Sequence, residues 1–598
     1  MRHGQQQRKG PRVAHIIFGC CIGTLLTYMA MAFLHIGSLT SSSTVSRQQV
    51  DVVAKPQDVD VRSLTDLSQT KPPRIAWSIP VGGKTERLAL LERVLTKLLS
   101  SGVAPDDIYV MEDNESRKGL LGTTSASRRL SDFSAKYGVH VLQSGVVRDR
   151  REKANEFGLF LARHYHFMFD ALLYDGTSDP IGNFGAKSTQ ELVATPYDFA
   201  VMIEDDLELM DDAVAYFTHM STAMLLDPTI FCVCAHADNA FHGFSSEPVQ
   251  SSDNFVFPHG QASEKFLIRR GNHFMAPGFM VSRPVYNTVI RPTWLHKNGD
   301  VLQRDVMKMP NGNWDTYLDA RIRQLECIFP SVPRIAHRGA TGYTVRPDRQ
   351  DAVFSSLRLS TLSAKTDYRQ AALDVVLTAY ESKIQTFMDN AIHIDCSEDL
   401  MPLRNKQVML HVKGTQNDGD HGWAAALNFF GLIGIGGHFP RVRGIHRGTV
   451  IVEYLGNTVL LVADYSPFAS RMKVQGKGCR GIGSSESARQ PGETFVAGNV
   501  GESCTAACKR NGATCQDKMV GLLIDCGDRG ICGATKKEWS GVLDCQMDSF
   551  RNLLTGDLKR AAPGISSSGQ CIKTIGRHLS CLGKNDNIKR ACICSSMH

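Results

Sequence analysis

The segment Phe199-Ala-Val-Met-Ile-Glu-Asp-Asp-Leu-Glu208 is an apolar run that ends in three consecutive acids. The apolar residues predict a buried strand, so Glu204, Asp205 and Asp206 are expected at its carboxyl end. Open α/β sheets bind their ligands at that edge, and carboxylates are ligands of hard divalent cations. The segment therefore predicts an α/β sheet that carries a candidate cation site.

The same acids also have a purely structural interpretation. Asp211 and Asp212 precede apolar residues at helical spacing, among them Phe217 and Met220. Acids at the start of a helix are favoured by its macrodipole. On this segment alone, a capped helix and a metal site both remain open.

Strand and helix patterns alternate along the chain around this segment. Ile75–Ile79 and Asp107–Met111 predict short buried strands, and Leu88–Leu99 predicts an amphipathic helix between them. Because strands that alternate with helices are typical of parallel sheets, we expect an α/β domain over residues 73–350.

The N-terminal region predicts a membrane anchor. Residues 16–36 contain no Asp, Glu, Lys or Arg, and at about 1.5 Å per residue a helix of that length spans roughly the 30 Å of a bilayer core. Basic residues precede it and no acid occurs before Asp51. This bias predicts a cytosolic tail (1–15), a type II transmembrane signal anchor and a lumenal remainder. A cleaved signal peptide is the alternative.

The remaining organisation follows from shifts in composition. Thr449–Leu455 and Thr458–Ala463 flank Gly456-Asn457 and predict a hairpin with a two-residue turn. The predicted parts are a polar stem (37–72), a helical extension (351–399) with one amphipathic helix over 370–390, a small β-containing domain (400–475), a Gly/Ser-rich linker (476–500) and a cysteine-rich module (501–598).

Charge and cysteine content narrow the function classes. The net charge of +7 is spread along the chain, and its short basic clusters are interrupted by acids, which argues against a nucleic-acid partner. Ten of the 17 cysteines lie between Cys504 and Cys594. They lack two paired Cys-x-x-Cys knuckles, so they predict a disulfide-rich module in an oxidising compartment rather than a zinc site.

Several short motifs together carry a family resemblance. In chain order they are Leu161-Ala-Arg-His-Tyr165, Val201–Leu209 with Ala215–Phe217, Phe231–Ala235, Ala276–Phe279, Asn313-Trp-Asp315 and Glu326–Ile328. Their order and approximate spacing resemble the N-acetylglucosaminyltransferase I family, which includes the protein O-mannose β-1,2-N-acetylglucosaminyltransferases. The resemblance covers about residues 74–345, and the colinearity is far more specific than any single motif.

The resemblance implies a GT-A fold, a UDP-GlcNAc donor, a Mn²⁺ ion and an inverting mechanism. Carried over to this chain, it implies that Asp206 ligates the metal. Asp205 matches an acid near the donor ribose, and Glu204 matches one that meets the donor sugar or its surroundings. The expected fold class is thus α/β, a GT-A nucleotide-sugar transferase domain followed by a small β-containing domain and a disulfide-rich module, behind a transmembrane helix.

Further donor-binding residues are implied by the same resemblance. His164 and Asp113 match residues that contact the uridine. Arg87 matches a nucleotide-binding arginine, with Lys84 as a competitor. The alternative for His164 is a histidine packed in an amphipathic helix, and the alternative for Arg87 is a surface residue of a helix.

Asp315, after Trp314, matches the catalytic base of the family. A carboxylate in that role would take the proton of the acceptor hydroxyl in a single displacement at an anomeric carbon. The alternative is that Asp315 is the N-cap of the helical pattern that follows it.

The cysteines supply two more implications. Cys232 and Cys327 match a disulfide pair of the family, while Cys234 as the partner or a buried thiol remains the alternative. The spacing of cysteines over about 500–598 resembles the cysteine-rich C-terminal module of N-acetylglucosaminyltransferase V, for which we expect a folding or recognition role without catalysis.

Together these features predict a Mn²⁺-dependent, inverting glycosyltransferase. It would transfer GlcNAc from UDP-GlcNAc to a mannose hydroxyl of a glycoprotein glycan in β-1,2 linkage, on the lumenal side of the Golgi membrane. One alternative is an O-mannosyl or other glycan acceptor, and another is a catalytically inactive sugar-binding protein on the same fold.

Overall fold

The structure is a computed structural model. It describes residues 72–81, 85–112, 125–144, 157–174, 195–240, 249–251, 254–256, 266–293, 318, 322, 325–339, 354, 357–394, 400, 403–412, 423, 434–435, 441–454, 456–471, 493–500, 503–511, 513–515, 551–552, 564–566, 571–573 and 588–596.

The described residues form short strands and a smaller number of helices. The strands are β1 (Ile75–Val81), β2 (Ile108–Glu112), β3 (His140–Gln143), β4 (Phe199–Met202), β5 (Leu207–Leu209), β6 (Ile230–Cys234), β7 (Val249–Ser251), β8 (Asn254–Val256), β9 (Ile268–Gly271), β10 (Phe279–Ser282), β11 (Glu326–Pro330), β12 (Ile335–His337), β13 (Ile392–Ile394), β14 (Gln407–Val412), β15 (Gly434–Ile435), β16 (Arg441–Val442), β17 (Thr449–Tyr454), β18 (Asn457–Ala463), β19 (Glu493–Val500), β20 (Ala513–Cys515), β21 (Arg551–Asn552), β22 (Gly564–Ser566), β23 (Cys571–Lys573) and β24 (Ile588–Ser596). The helices are α1 (Thr85–Ser100), α2 (Ser125–Tyr137), α3 (Phe157–Leu173), α4 (Ala213–Leu226), α5 (Arg369–Asp374), α6 (Leu377–Asn390) and α7 (Cys504–Arg510), with short helical turns at Pro105–Asp107, Arg283–Val285, Tyr286–Ile290, Arg291–Thr293 and Ala469–Arg471.

The main sheet has eight strands in the order β3-β2-β1-β4-β10-β6-β11-β9. All but β10 and β9 run parallel to one another. Both faces are covered: along β1, Ala76 packs in one apolar cluster while Ile75 and Trp77 pack in the other. The prediction of an α/β fold is therefore confirmed, since a mostly parallel sheet must bury both faces.

A second sheet follows the main sheet in the chain, with the order β13-β14-β18-β17. The predicted hairpin is present as β17 and β18, but Tyr454 pairs with Asn457, so the turn lies one residue earlier than predicted. Gly456 in that turn has φ 79°, a left-handed conformation that glycine adopts without steric cost. A further sheet in the C-terminal region has the order β19-β24-β22-β23-β21, and β20 pairs with β24 beside it.

The single helix predicted over 370–390 is instead two helices, α5 and α6. Two buried side chains bind the backbone at the break: Arg270 Nη1 donates to the Val375 carbonyl at 2.9 Å, and Asp227 Oδ2 accepts from the Leu377 N–H at 2.8 Å. These tertiary hydrogen bonds take the place of hydrogen bonds within a helix. The local sequence pattern cannot predict them, because Arg270 and Asp227 lie elsewhere in the chain.

The predicted membrane location through one spanning helix is contradicted by the helices that the structure describes. None of the helices that the structure describes is long and apolar enough to cross a membrane. Residues 16–36, where the sequence predicts the anchor, lie outside the described residues.

A buried ionic network joins the main sheet to the loop before β17. Arg270 is fully buried and donates to Asp227 at 2.6 Å and to Glu326 at 2.8 Å. Glu326 also pairs with His446 Nδ1 at 2.8 Å. Although burial opposes it, the hydrogen bond from His446 and the charge of Arg270 lower the pKa of Glu326 to about 2.

Replacing Glu326 with Gln is expected to destabilise the protein at neutral pH and to flatten its acid response. Because the folded-state pKa of about 2 lies below the ordinary 4.5, the carboxylate stabilises the fold above about pH 4.5, and this contribution is lost as the pH falls towards 2. The contribution is roughly 3 kcal/mol. Urea unfolding of the wild type and Glu326→Gln between pH 7 and pH 3 measures it.

The control variant is Glu92→Gln, which removes an exposed carboxylate that pairs with Lys136 at 2.6 Å. Exposed ion pairs contribute little to stability, so its unfolding midpoint should match the wild type at pH 7. Equal pH dependence in the wild type and Glu326→Gln would contradict the assignment of the network.

Candidate active site

The candidate site lies where the strand order of the main sheet reverses. The chain runs outward from β1 to β2 and β3 on one side, and β4 pairs with β1 on the other. The carboxyl ends of β1 and β4 therefore meet at the usual ligand position of open α/β sheets. Arg87 follows β1, in the first turns of α1, and the three acids follow β4.

The acids sit in a tight turn held by backbone hydrogen bonds. The Ile203 N–H donates to the Ser78 carbonyl at 2.9 Å, which extends the β1–β4 pairing by one residue. The Leu207 N–H then donates to the Glu204 carbonyl at 3.1 Å and closes the turn. Asp205 and Asp206 are almost fully buried, whereas Glu204 is half-buried.

Arg87 bridges the two buried acids. Its Nη1 lies 2.8 Å from Asp205 Oδ1 and its Nη2 lies 2.9 Å from Asp206 Oδ2. Although burial disfavours the cation, these two charges raise the pKa of Arg87 above its ordinary value. The guanidinium therefore offsets carboxylate charge that would otherwise be repulsive in this buried turn.

The surroundings of Glu204 change its pKa. Burial and the charge of Asp206 raise the pKa of Glu204 to about 8, although the Tyr165 hydroxyl donates to its Oε1 at 3.1 Å and acts in the opposite direction. A carboxyl group with such a pKa is poised to bind a cation or to exchange a proton near neutral pH.

His337 completes the group, and sequence reasoning missed it. Strand β12 pairs antiparallel with β5, with His337 opposite Leu207, so the imidazole Nε2 lies 3.7 Å from Asp206 Oδ2. Glu204, Asp206 and His337 each offer one ligand atom, and these atoms lie within 4.8 Å of one another. No local motif marks Ile335-Ala-His337, because only the pairing of β12 with β5 brings it here.

Two further observations fit a bound cation. Asp206 Oδ1 is buried and accepts no hydrogen bond from the described residues. Gly339 lies against the same side chain, since a Cβ at residue 339 would be 2.0 Å from Asp206 Oδ2. Two carboxylates and an imidazole form a donor set that suits a divalent transition metal such as Mn²⁺.

The structure locates only part of the predicted site. Arg87, Glu204, Asp205 and Asp206 come together as described. His164 is buried in α3, the helix that also supplies Tyr165. Asp113, Asp315 and Lys84 lie in segments that the structure does not describe.

The structure joins Cys232 of β6 to Cys327 of β11 in a disulfide between neighbouring parallel strands. Cys234 is a buried cysteine outside this disulfide, and its Sγ lies 3.4 Å from Cys232 Sγ. In the C-terminal region Cys508 is also disulfide-bonded.

Comparison with known proteins yields only remote similarity. No protein-family model and no curated protein matches the sequence. Among solved structures, the chain is similar to a mannosyltransferase from Pyrobaculum calidifontis in complex with GDP-Man and Mn²⁺ (14% identity, TM-score 0.22, covering 44% of this chain and 59% of that one). It is also similar to a glucosyl-3-phosphoglycerate synthase from Mycobacterium tuberculosis in complex with Mg²⁺ and UDP (15%, 0.15, 30% and 49%) and to the bifunctional glycosyltransferase WbbM (13%, 0.21, 52% and 51%).

The chain spans less than two thirds of the length of each of these three proteins. At these TM-scores the likeness supports no conclusion about fold or function. The inferences that follow therefore depend on the residues of the site.

Gly339→Ala is expected to weaken Mn²⁺ binding by about 10-fold or more, because a methyl group at residue 339 must push the Asp206 carboxylate out of position. Titration of the purified protein with Mn²⁺, followed by the electron paramagnetic resonance of free Mn²⁺, measures the affinity. Gly102→Asn is the control, since Gly102 has φ 88° and open space around it. Unchanged affinity in Gly339→Ala would contradict the placement of Asp206 in the site.

Proposed function

We propose that the protein is an inverting, Mn²⁺-dependent glycosyltransferase that transfers GlcNAc from UDP-GlcNAc to a mannose hydroxyl of a glycan in β-1,2 linkage. The observation that carries the proposal is the grouping of Glu204, Asp206 and His337. This group lies beside Arg87, at the carboxyl ends of β1 and β4. The motif order described for residues 74–345 supports the choice of GlcNAc and of the linkage.

The metal site would consist of Asp206 and His337, with Glu204 as a third ligand or as a neighbour of the donor sugar. When bound there, Mn²⁺ would neutralise the charge of the UDP diphosphate as it leaves. The raised pKa of Glu204 is consistent with this role, because burial and the neighbouring charge of Asp206 both disfavour its carboxylate in the absence of a further cation.

The nucleotide would bind beside the acids. Asp205 accepts a hydrogen bond from Arg87 at 2.8 Å and would accept another from a ribose hydroxyl. Arg87 would contact a phosphate or the base. His164 and Asp113 are proposed as contacts of the uracil, and Asp113 directly follows β2, the neighbour of β1.

Asp315 is proposed as the general base. It would take the proton from the acceptor hydroxyl as the oxygen bonds to the anomeric carbon. The bond from that carbon to the diphosphate oxygen breaks on the opposite face and UDP departs, which inverts the configuration. Positive charge on the side of UDP and a carboxylate on the side of the acceptor are what this displacement requires.

Asp206→Ala is expected to abolish UDP release from UDP-GlcNAc in the presence of Mn²⁺ and a mannose-terminated glycan, because it removes the central metal ligand. The matched control is Asp211→Asn, which changes an exposed acid of the same segment that pairs with Lys97. A coupled assay of UDP release measures both. Full activity in Asp206→Ala, or no UDP release by the wild type with any sugar nucleotide and acceptor, would contradict the proposal, and the second outcome favours a sugar-binding protein without catalysis.

Asp315→Asn is expected to lower kcat by about 10² to 10⁴ while UDP binding persists, since a general base contributes to the chemical step and not to donor affinity. Steady-state kinetics combined with calorimetric titration of UDP separates the two effects. Equal losses of UDP affinity and turnover would assign Asp315 to the donor site instead.

A further inference from the structure

A second cluster of buried polar side chains lies beyond the carboxyl end of β6. Its centre is Asp238, whose carboxylate is 2.8 Å from Arg443 Nη1, 3.3 Å from His236 Nε2 and 3.9 Å from His273 Nε2. Asp238 and both histidines are almost completely buried. Although burial opposes ionisation, Arg443 above all holds the pKa of Asp238 well below its usual range.

This cluster is connected to the metal site through one aromatic ring. His236 packs against Phe354 with ring centroids 5.6 Å apart. On Phe354 the imidazole of His337 stacks at 4.7 Å, with ring planes inclined by 22°. His337 Nε2 then lies 3.7 Å from Asp206 Oδ2. The ring orientation of a candidate metal ligand therefore depends on packing that begins at Asp238.

Arg443 reaches Asp238 from the loop between β16 and β17, and that loop is tightly fixed on the main sheet. The Asn272 N–H donates to the Ile445 carbonyl at 3.0 Å. A Cβ at Gly271 would lie 2.4 Å from Gly444 Cα, so the two backbones touch without intervening side chains. A loop held at this distance places the Arg443 guanidinium reproducibly.

We propose that Arg443, acting through Asp238 and His236, is a positioning residue for the metal ligand His337, so that the loop between β16 and β17 is a required part of the metal site. This inference rests on the proposed function, since it assumes that His337 binds the cation. It gives the second sheet region a role in the reaction that its composition does not reveal.

The physical reasoning concerns the charge of Asp238. Among the described residues, removal of Arg443 leaves the buried Asp238 carboxylate with imidazole partners, and a buried charge that loses its partner is strongly disfavoured. His236, which lies 3.3 Å from that carboxylate, is then expected to shift, and its packing on Phe354 shifts with it. Mutation of residues that orient a metal ligand, without binding the metal themselves, commonly changes metal affinity by about 10- to 100-fold.

The test is Mn²⁺ affinity, measured on the full chain with a fixed UDP concentration by the electron paramagnetic resonance of free Mn²⁺. Arg443→Ala and Asp238→Asn should each weaken binding by about 10-fold or more. The double variant should be no weaker than the single ones, because the two side chains act in one chain of contacts. Arg443→Lys, which keeps the charge, should recover most of the affinity.

The matched control is Arg447→Ala. Arg447 lies in the same loop and pairs with Glu381 at 2.6 Å, but it is exposed and has no contact with Asp238. Its Mn²⁺ affinity should stay within about twofold of the wild type, so that a tenfold loss in Arg443→Ala cannot be a general effect of the loop.

The outcomes separate this inference from the proposed function. Wild-type affinity in Arg443→Ala and Asp238→Asn, with binding lost in Asp206→Ala, overturns the positioning role alone. Wild-type affinity in Asp206→Ala overturns the metal site itself. Equal losses in Arg443→Ala and Arg447→Ala would also overturn the positioning role. If Arg443→Ala fails to fold, Asp238→Asn decides, and unchanged affinity in it refutes the inference.

Discussion

The contact of Arg87 with Asp205 and Asp206 is the interaction on which the site depends. Three consecutive acids in a buried turn repel one another, and two of them are almost completely removed from water. The guanidinium of Arg87 is bonded to both at 2.8 and 2.9 Å and offsets part, but not all, of the negative charge of the turn. In the same turn, burial and then the charge of Asp206 raise the pKa of Glu204.

Sequence reasoning found those features that are encoded locally. The apolar run before Glu204 is confirmed as β4, and the strand patterns at Ile75 and Asp107 correspond to β1 and β2. Once parallel neighbouring strands are predicted, acids at the end of an apolar strand are expected at the ligand-binding edge of the sheet. The alternation of strands and helices similarly sufficed for the α/β fold.

Features created by tertiary contacts were missed. His337 is one residue of a short strand with no distinguishing pattern, and it joins the acids only because β12 pairs with β5. The break between α5 and α6 results from hydrogen bonds to Arg270 and Asp227, which come from elsewhere in the chain. The membrane location was inferred from an apolar run and from the basic residues that precede it, and none of the helices that the structure describes supports it.

The backbone contact between Gly271 and Gly444 limits how this protein can be divided. Any side chain at Gly271 would push the two backbones apart, because a Cβ there would lie 2.4 Å from the Cα of Gly444. A fragment that stops at the end of the main sheet would lose this contact, and it would also remove His446 from Glu326 and Arg443 from Asp238. We therefore expect trimmed versions of the chain to need residues through Ala463 for solubility.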